Sequence, residues 1–288
     1  MTAPIRPTLG LALMPEPAFA AAALPLITDG LIETVEWSFD MGWGPTGIPD
    51  WLDGLLADYG AAGQLLGHGV SFSLLAGAWT PHHRGWLDRL EREVSTRCYR
   101  HISEHIGFVG AGRFSFAAPL PVPHCPAVVD LGRQRLNLLA AAAGVPVGLE
   151  NLATSFGPAD ATEQGALLAD LIEPTDAFVV LDLHNLWCQA HNLALDPIEL
   201  LAGYPLDRVR ELHVSGGSWD QRGRRLRRDT HDALVPSRVL ALLAHVAPRC
   251  PALEVVVYER IGTSLLDAAS HPGFRDDVLR LAELIRSW

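Results

Sequence analysis

The chain has 288 residues, of which 49% are hydrophobic and 19% charged, and its formal net charge is −11. This length suits one large α/β barrel or two ordinary domains, and the composition excludes a disordered chain. The acidic total argues against a general nucleic-acid-binding protein, which is usually basic. No apolar run approaches the roughly 18 residues of a membrane span, and the N-terminal region does not read as a signal peptide. We therefore expect a cytoplasmic protein that binds neither membranes nor nucleic acid.

Short apolar, β-rich runs alternate with helix-like stretches along the whole chain. The predicted strands are residues 8–13, 34–39, 64–72, 99–108, 145–151, 177–185, 209–216 and 254–260. Amphipathic segments such as 86–94 and 133–144 lie between them. This alternation predicts a (β/α)₈ TIM barrel. Because no linker-like change of composition divides the chain, we expect a single domain over residues 1–288.

Histidines and carboxylates recur where the predicted strands end. Six strand ends carry His68, His105, Glu150, Asp182, His213 and Glu259, and the loop after the seventh strand carries Asp229 and His231. One such side chain alone is more often structural than functional. Eight of them should converge, because the carboxyl ends of barrel strands meet at one face. Four buried carboxylates without cations would cost more than the net stability of a domain, so the set predicts a metal cluster.

The order of these side chains suggests how they divide among ions. His68, His105 and Glu150 form a two-histidine-one-carboxylate face, which suits redox iron with open coordination positions. Asp182 and His213 would hold a second ion. Nitrogen and oxygen ligands without a thiolate suit iron, manganese or zinc, and residue type alone does not choose among these metals.

A third ion is predicted at the loop. Asp229 and His231 would bind it, and Asn185 is the nearest candidate to complete its ligand set. Glu150 and Glu259 can each bridge two ions, but the loop pair has no obvious share in either bridge. The four cysteines form no Cys-x-x-Cys pair, and we expect them to be free thiols.

Seven motifs in this order are those of a known family. They are GHGVSFSL, SEHIGF, GLEN, VVLDLHNLW, ELHVSG, DTHDALVP and YER. Over residues 8–262 the chain resembles the multinuclear non-heme iron-dependent oxidases. These include the iron subunit of methanobactin biosynthesis and the peptide-modifying oxidase of the thiaglutamate pathway. The resemblance implies a TIM barrel of the xylose isomerase and endonuclease IV type, with two or three Fe(II)/Fe(III) ions.

The resemblance also implies the reaction and the partners. It implies O₂-dependent modification of a ribosomally made precursor peptide, most often at a cysteine, and a separate protein that recognises the peptide's leader. The implied metal ligands are His68, His105, Glu150, Asp182, Asn185, His213, Asp229, His231 and Glu259. The implied catalytic group consists of His68, His105, Glu150, Asp182, His213 and Glu259. The chain departs from the family at 35–40, where VEWSFD replaces an E-x-H-x-E-N stretch, and at position 184 family members vary between histidine and asparagine.

Two other functions remain open from the sequence. Endonuclease IV has an almost identical ligand order in a trinuclear metal phosphodiesterase, but it has a histidine three residues after the strand-six aspartate, where this chain has Asn185. A barrel that only binds metal, without catalysis, is the other alternative. Sugar isomerases of related barrels use a catalytic lysine, and they are excluded because the chain has no lysine.

The densest positive run of the chain, RGRRLRR, directly precedes Asp229. Its five arginines are Arg222, Arg224, Arg225, Arg227 and Arg228. The plain interpretation is a solvated loop. The functional interpretations are a basic lip that draws an acidic peptide towards the metals, and a clamp for the phosphates of DNA.

Overall fold

The computed structural model describes residues 6–45, 47–111, 114–220 and 225–288. Its strands are β1 (Thr8–Leu13), β2 (Thr34–Trp37), β3 (Leu65–Gly69), β4 (Ile102–His105), β5 (Phe108–Ala111), β6 (Phe114–Leu120), β7 (Val147–Glu150), β8 (Phe178–Asp182), β9 (Val209–Val214) and β10 (Val255–Tyr258). Eight of them close into a parallel barrel in the order β1-β2-β3-β4-β7-β8-β9-β10, and β10 pairs with β1. Strands β5 and β6 form a separate antiparallel hairpin. The predicted TIM barrel is confirmed.

Helices surround the barrel. They are α1 (Pro17–Thr28), α2 (Asp50–Ala61), α3 (Pro81–Thr96), α4 (Pro126–Ala143), α5 (Pro158–Ile172), α6 (Leu183–Leu193), α7 (Pro197–Leu201), α8 (Ser237–Val246) and α9 (His271–Arg286). Proline at the start of most of them fits the helix, because its missing N–H has no partner at that position and its φ angle is already helical. Among the described residues, no helix is both long and apolar enough to cross a membrane.

Alternation along the barrel strands places the polar residues inside. On β9, Leu212 and Val214 belong to the main apolar core, so Glu211 and His213 face the barrel interior. The same alternation gives interior positions to Glu36, His68, His105, Glu150 and Asp182. A small separate apolar cluster consists of Ala12, Leu66, Val255 and Val257. The interior is thus apolar in part and polar near the carboxyl ends of the strands.

The predicted strands are all present, but most are shorter than predicted. At 177–185 the prediction also gives the wrong element type, because β8 ends at Asp182 and α6 begins at Leu183. The Asp182 carboxylate accepts a hydrogen bond of 2.6 Å from the backbone N–H of Asn185 and so caps the helix. His184 and Asn185 consequently lie in the first helical turn, and not on a strand.

Candidate metal centre

Two histidines and one glutamate form the first group of the site. The Nε2 atoms of His68 and His105 lie 3.3 Å and 3.2 Å from the same oxygen, Glu150 Oε2. The Nδ1 atom of His68 is 2.7 Å from Ser103 Oγ, so its Nε2 is the ring atom free to face the centre. Candidate ligand atoms of the three residues lie within 4.8 Å of one another, close enough to bind one ion together.

His213 is the centre of the second group. Its Nδ1 atom lies 3.9 Å from Glu150 Oε1 and 3.6 Å from Glu259 Oε1. Glu150, Asp182 and His213 again offer ligand atoms within 4.8 Å of one another. Glu150 therefore belongs to both groups, as a bridging carboxylate must.

The opposite edge of His213 contacts residues that the sequence analysis missed. Its Nε2 atom lies 3.2 Å from Glu211 Oε1 and 3.3 Å from Glu36 Oε2. His101 Nε2 lies 2.7 Å from the other oxygen of Glu211. All four side chains are fully buried or nearly so. The available signal was a charged residue inside each apolar strand: Glu36 in TVEW, and Glu211 two places before His213.

The third group comes from the loop between β9 and α8. His231 Nε2 lies 2.8 Å from Asp229 Oδ1 and 3.8 Å from Glu259 Oε2. Asp182, His231 and Glu259 offer ligand atoms within 4.8 Å of one another. The expectation that the loop pair shares no bridging carboxylate is therefore wrong, because Glu259 directs one oxygen towards His213 and the other towards His231. The side chains of Asp229 and His231 are about one quarter exposed, at 26% and 25%.

Helix α6 approaches this third group through His184 and not through Asn185. Asn185 Nδ2 donates hydrogen bonds to Glu150 Oε1 (3.2 Å) and to the backbone carbonyl of Asn151 (3.1 Å). His184 Nδ1 lies 3.1 Å from Asp229 Oδ1. Asn185 as a ligand of the third ion stays a prediction, for which its buried and unpartnered Oδ1 atom is the available donor.

The pKa values of the buried groups show how burial and neighbouring charges affect their ionisation when no cation is bound. Burial raises the pKa of Glu150 to about 7 and that of Asp182 well above its ordinary value. Burial lowers the pKa of His68. For His105, burial also lowers the pKa, but the carboxylates of Glu150, Glu104 and Glu259 together outweigh it and raise the value to about 9. Glu150 and Asp182 therefore resist ionisation in this site unless a cation compensates them.

Unsatisfied polar atoms provide an independent test of whether the residues fit a metal. Buried atoms without a hydrogen-bond partner include Glu150 Oε2, Asp182 Oδ2, Asn185 Oδ1, His213 Nδ1 and Glu259 Oε2. Buried polar atoms in proteins are nearly always paired, and a cluster of exceptions requires an explanation. These atoms belong to the groups described above, and metal coordination would satisfy them together. The residues fit a multinuclear centre.

The arginine run does not form one uniform surface. Arg227 is buried, with its guanidinium between the rings of Trp187 and Trp219. Arg225 and Arg228 are exposed, whereas Arg222 and Arg224 lie outside the described residues. For Arg227 the predicted solvated loop and the predicted basic lip are both wrong, because its charge is covered by aromatic rings. Cys188, which like the other three cysteines is a free thiol, has its Sγ atom 3.8 Å from His184 Nδ1.

A comparison with protein families agrees with this site. The family of RiPP precursor modification enzymes MbnB/TglH/ChrH, which act on ribosomally made peptides, matches residues 51–261. The chain belongs to this family. The matched range includes every predicted metal ligand, and it leaves out β1, β2 and Glu36. The resemblance found in the motifs is thereby confirmed.

Several relatives of this MbnB/TglH/ChrH family member are UPF0276 proteins. A UPF0276 protein of Caulobacter vibrioides is 32% identical over 63% of this chain and 64% of its own length. A UPF0276 protein of Streptomyces avermitilis is 33% identical over 63% of this chain and 38% of its own length. One of Chromobacterium violaceum is 29% identical over 73% of this chain and 76% of its own length. The chain thus spans less than two thirds of the Caulobacter and Streptomyces relatives.

Solved structures resemble this family member in fold. Endonuclease IV from Thermus thermophilus matches with a TM-score of 0.54 and 20% identity, over 95% of this chain and all of the nuclease. The probable 3-DHS dehydratase AsbF from Bacillus anthracis matches with a TM-score of 0.58 and 12% identity, over 95% and 98% of the two chains. At these identities the likeness concerns the barrel alone.

Proposed function

We propose that the chain is an oxidase that uses two or three irons and O₂ to modify a residue, most often a cysteine, of a ribosomally made precursor peptide. The observation that carries the proposal is the set of ligand groups joined by shared carboxylates at the barrel mouth, in a chain of the RiPP precursor modification family. A separate protein that recognises the peptide's leader belongs to the same proposal. Its support is the family resemblance.

The proposed ligands divide among three positions. His68, His105 and Glu150 hold the first ion, and Asp182 and His213 join Glu150 at the second. Asp229 and His231, with Asn185, hold the third, and Glu259 lies between the last two positions. When bound, the irons supply the one-electron chemistry that couples O₂ to a peptide thiolate. The two-histidine-one-carboxylate first group favours iron, because this combination leaves coordination positions open.

The chain's own contribution is to orient the ligands and to keep water out. If His68 binds through Nε2, its Nδ1–H donates to Ser103 Oγ, whose hydroxyl donates to the carbonyl of Gly67 at 3.3 Å. If His213 binds through Nδ1, its Nε2–H donates to Glu211. Such partners fix the orientation and tautomer of each ring and increase its basicity. Burial leaves most side chains of the first two groups nearly inaccessible, except that of His105, which is 16% exposed, whereas the third group is more open.

The test is oxygen uptake by the anaerobically iron-loaded chain. The substrate is a synthetic copy of a short cysteine-bearing peptide encoded beside the gene. We expect O₂ consumption that depends on both iron and the cysteine, together with a change in peptide mass. A serine version of the peptide is the matched control.

Three results would contradict the proposal. Cleavage of abasic DNA by the metal-loaded chain, without O₂ consumption, would favour the endonuclease-type alternative. Metal binding with no turnover of peptide or DNA would favour the non-catalytic barrel. Activity with full zinc occupancy and no iron would refute the iron assignment.

Mild chelation is expected to remove the third ion first. The side chains of Asp229 and His231 are about one quarter exposed, whereas those of His68 and Glu150 are nearly inaccessible. Asn185 is also a weaker donor than imidazole or carboxylate. Metal analysis should show a two-iron form, and Asp229→Ala and His231→Ala should produce the same form. Loss of the His68-bound ion before the outer one would show that exposure does not set the order.

A further inference from the structure

We propose that Arg227 is a positioning residue: stacked between Trp187 and Trp219 and hydrogen-bonded towards His184, it holds Asp229 in place at the third metal position. The part of this inference that concerns metal rests on the proposed function, whereas the part that concerns the loop does not. The three residues Trp187, Arg227 and Trp219 are called the arginine clamp below.

The clamp holds a short hairpin that leads directly to the ligands. Trp219 and Arg227 form an antiparallel bridge. The Arg228 N–H donates to the Ser218 carbonyl, and the Asp220 N–H donates to the Leu226 carbonyl, both at 2.9 Å. We call Ser218–Asp220 with Leu226–Arg228 the ligand hairpin. Asp229 is the next residue after it, so any movement of the hairpin moves the ligand.

The guanidinium of Arg227 fastens this hairpin to helix α6. Its central carbon lies 4.4 Å from the ring centroid of Trp187, on α6, and 4.6 Å from that of Trp219, on the hairpin. Cation–π contacts of a desolvated arginine are stronger than those at an exposed site, and Arg227 is only 8% exposed. One side chain therefore joins two elements that carry different parts of the site.

Helix α6 also holds the backbone of Arg227. The Asn192 side-chain nitrogen donates a hydrogen bond of 2.9 Å to the Arg227 carbonyl. The Asn192 side-chain oxygen accepts one of 2.8 Å from the Arg227 N–H. Gly217 makes the close approach possible, because a Cβ atom there would lie 2.8 Å from His184 Cε1 and 2.0 Å from the Arg228 carbonyl oxygen. A shift in hairpin register would break these contacts together.

The donor and acceptor roles connect the clamp to the ligand. An arginine side chain can only donate, and Arg227 Nη2 faces the Gly217 carbonyl and, at 3.5 Å, His184 Nε2. His184 Nε2 must then accept, which places the ring proton of neutral His184 on Nδ1. That proton is directed to Asp229 Oδ1, 3.1 Å away. The path Arg227–His184–Asp229 orients one carboxylate oxygen and leaves the other available.

A matched pair of variants separates this role from a simple charge effect. Arg227→Leu removes the clamp, and Arg228→Leu removes the same charge from an exposed neighbour in the same hairpin. Arg227→Lys keeps the charge. Lysine, however, lacks the planar guanidinium that stacks on both rings while it donates to two acceptors. The lysine variant should therefore fall between the wild type and Arg227→Leu.

The first measurement is hydrogen exchange of the metal-free full-length protein. At the Asp220 amide, which donates across the hairpin, Arg227→Leu should increase exchange roughly tenfold or more. Arg228→Leu should stay within about twofold of the wild type. Equal exchange in the two variants would overturn the proposed clamp, whether or not the chain binds metal.

The second measurement is the iron content after anaerobic loading with Fe²⁺ and desalting. Arg227→Leu should retain one ion fewer than Arg228→Leu, with the same thermal midpoint for the barrel to within a few degrees. Faster exchange with an unchanged iron content would overturn the orienting role. A wild type that retains no iron would refute the proposed function, and the exchange comparison would then decide the clamp alone.

Discussion

Replacing Glu150 with glutamine is expected to remove more than one iron per chain. Glu150 Oε2 faces both His68 and His105, and Glu150 Oε1 lies 3.9 Å from His213 Nδ1, so one carboxylate serves two ligand groups. Glutamine has nearly the same shape and can still accept the hydrogen bond from Asn185. The loss would therefore come from the missing charge, and it is measured by metal analysis of anaerobically loaded protein.

Two other substitutions serve as controls for the loss of iron. Asp229→Asn changes a single position at the third group and should lower the iron content by one ion. Glu163→Gln, on the exposed side of α5, should change nothing. Loss of a single iron from Glu150→Gln, with activity retained, would show that Glu150 does not bridge.

The stability of the metal-free chain is expected to fall as the pH rises from about 5 to 9. Burial raises the pKa of Glu150 to about 7. At His105 burial lowers the pKa, but Glu150, Glu104 and Glu259 together outweigh it, and the pKa rises to about 9. Over this range the folded chain retains protons that the unfolded chain has released, so each rise in pH favours unfolding. The lowered pKa of His68 opposes this only below about pH 6.5, and more of the buried groups, Asp182 among them, have raised pKa values.

The expected fall in stability is large enough to measure by thermal unfolding. The Glu150 shift alone corresponds to roughly 3 kcal/mol, or on the order of 5–10 °C in the unfolding midpoint of a chain of this length. Bound metal requires deprotonated ligands, so its stabilisation increases with pH. The midpoints of the metal-loaded and metal-free protein should therefore diverge from pH 6 to pH 9. Convergence over that range would contradict a cluster of carboxylates and histidines that binds cations.

The barrel could be predicted from the sequence because its signal is periodic. Eight apolar runs separated by helix-like segments determine a closed parallel sheet, and the strand ends then determine which residues meet. The predicted strand over 183–185 failed for a local reason. The Asp182 carboxylate caps α6, and helix capping competes with strand continuation in a run as apolar as VVLDL.

The functional residues that the sequence did not predict are those whose role depends on their neighbours in the folded structure. Glu211 lies two places before His213 on the same face of β9, whereas Glu36 comes from β2, and only barrel closure places it against His213. Arg227 is one of five arginines in seven residues, and nothing in the run distinguishes it from its neighbours. Its burial depends on Trp187 and Trp219, which come from different elements.

Anomalous diffraction at the iron and zinc edges, from crystals of the anaerobically iron-loaded chain, tests the multinuclear iron centre most directly. We expect two or three iron peaks at the barrel mouth. One should lie among His68, His105 and Glu150, and a second beside His213 on the other side of Glu150. A weaker third peak should lie between Asp229 and His231. A single peak, or zinc at full occupancy in protein that is active without iron, would contradict the shared-carboxylate iron cluster.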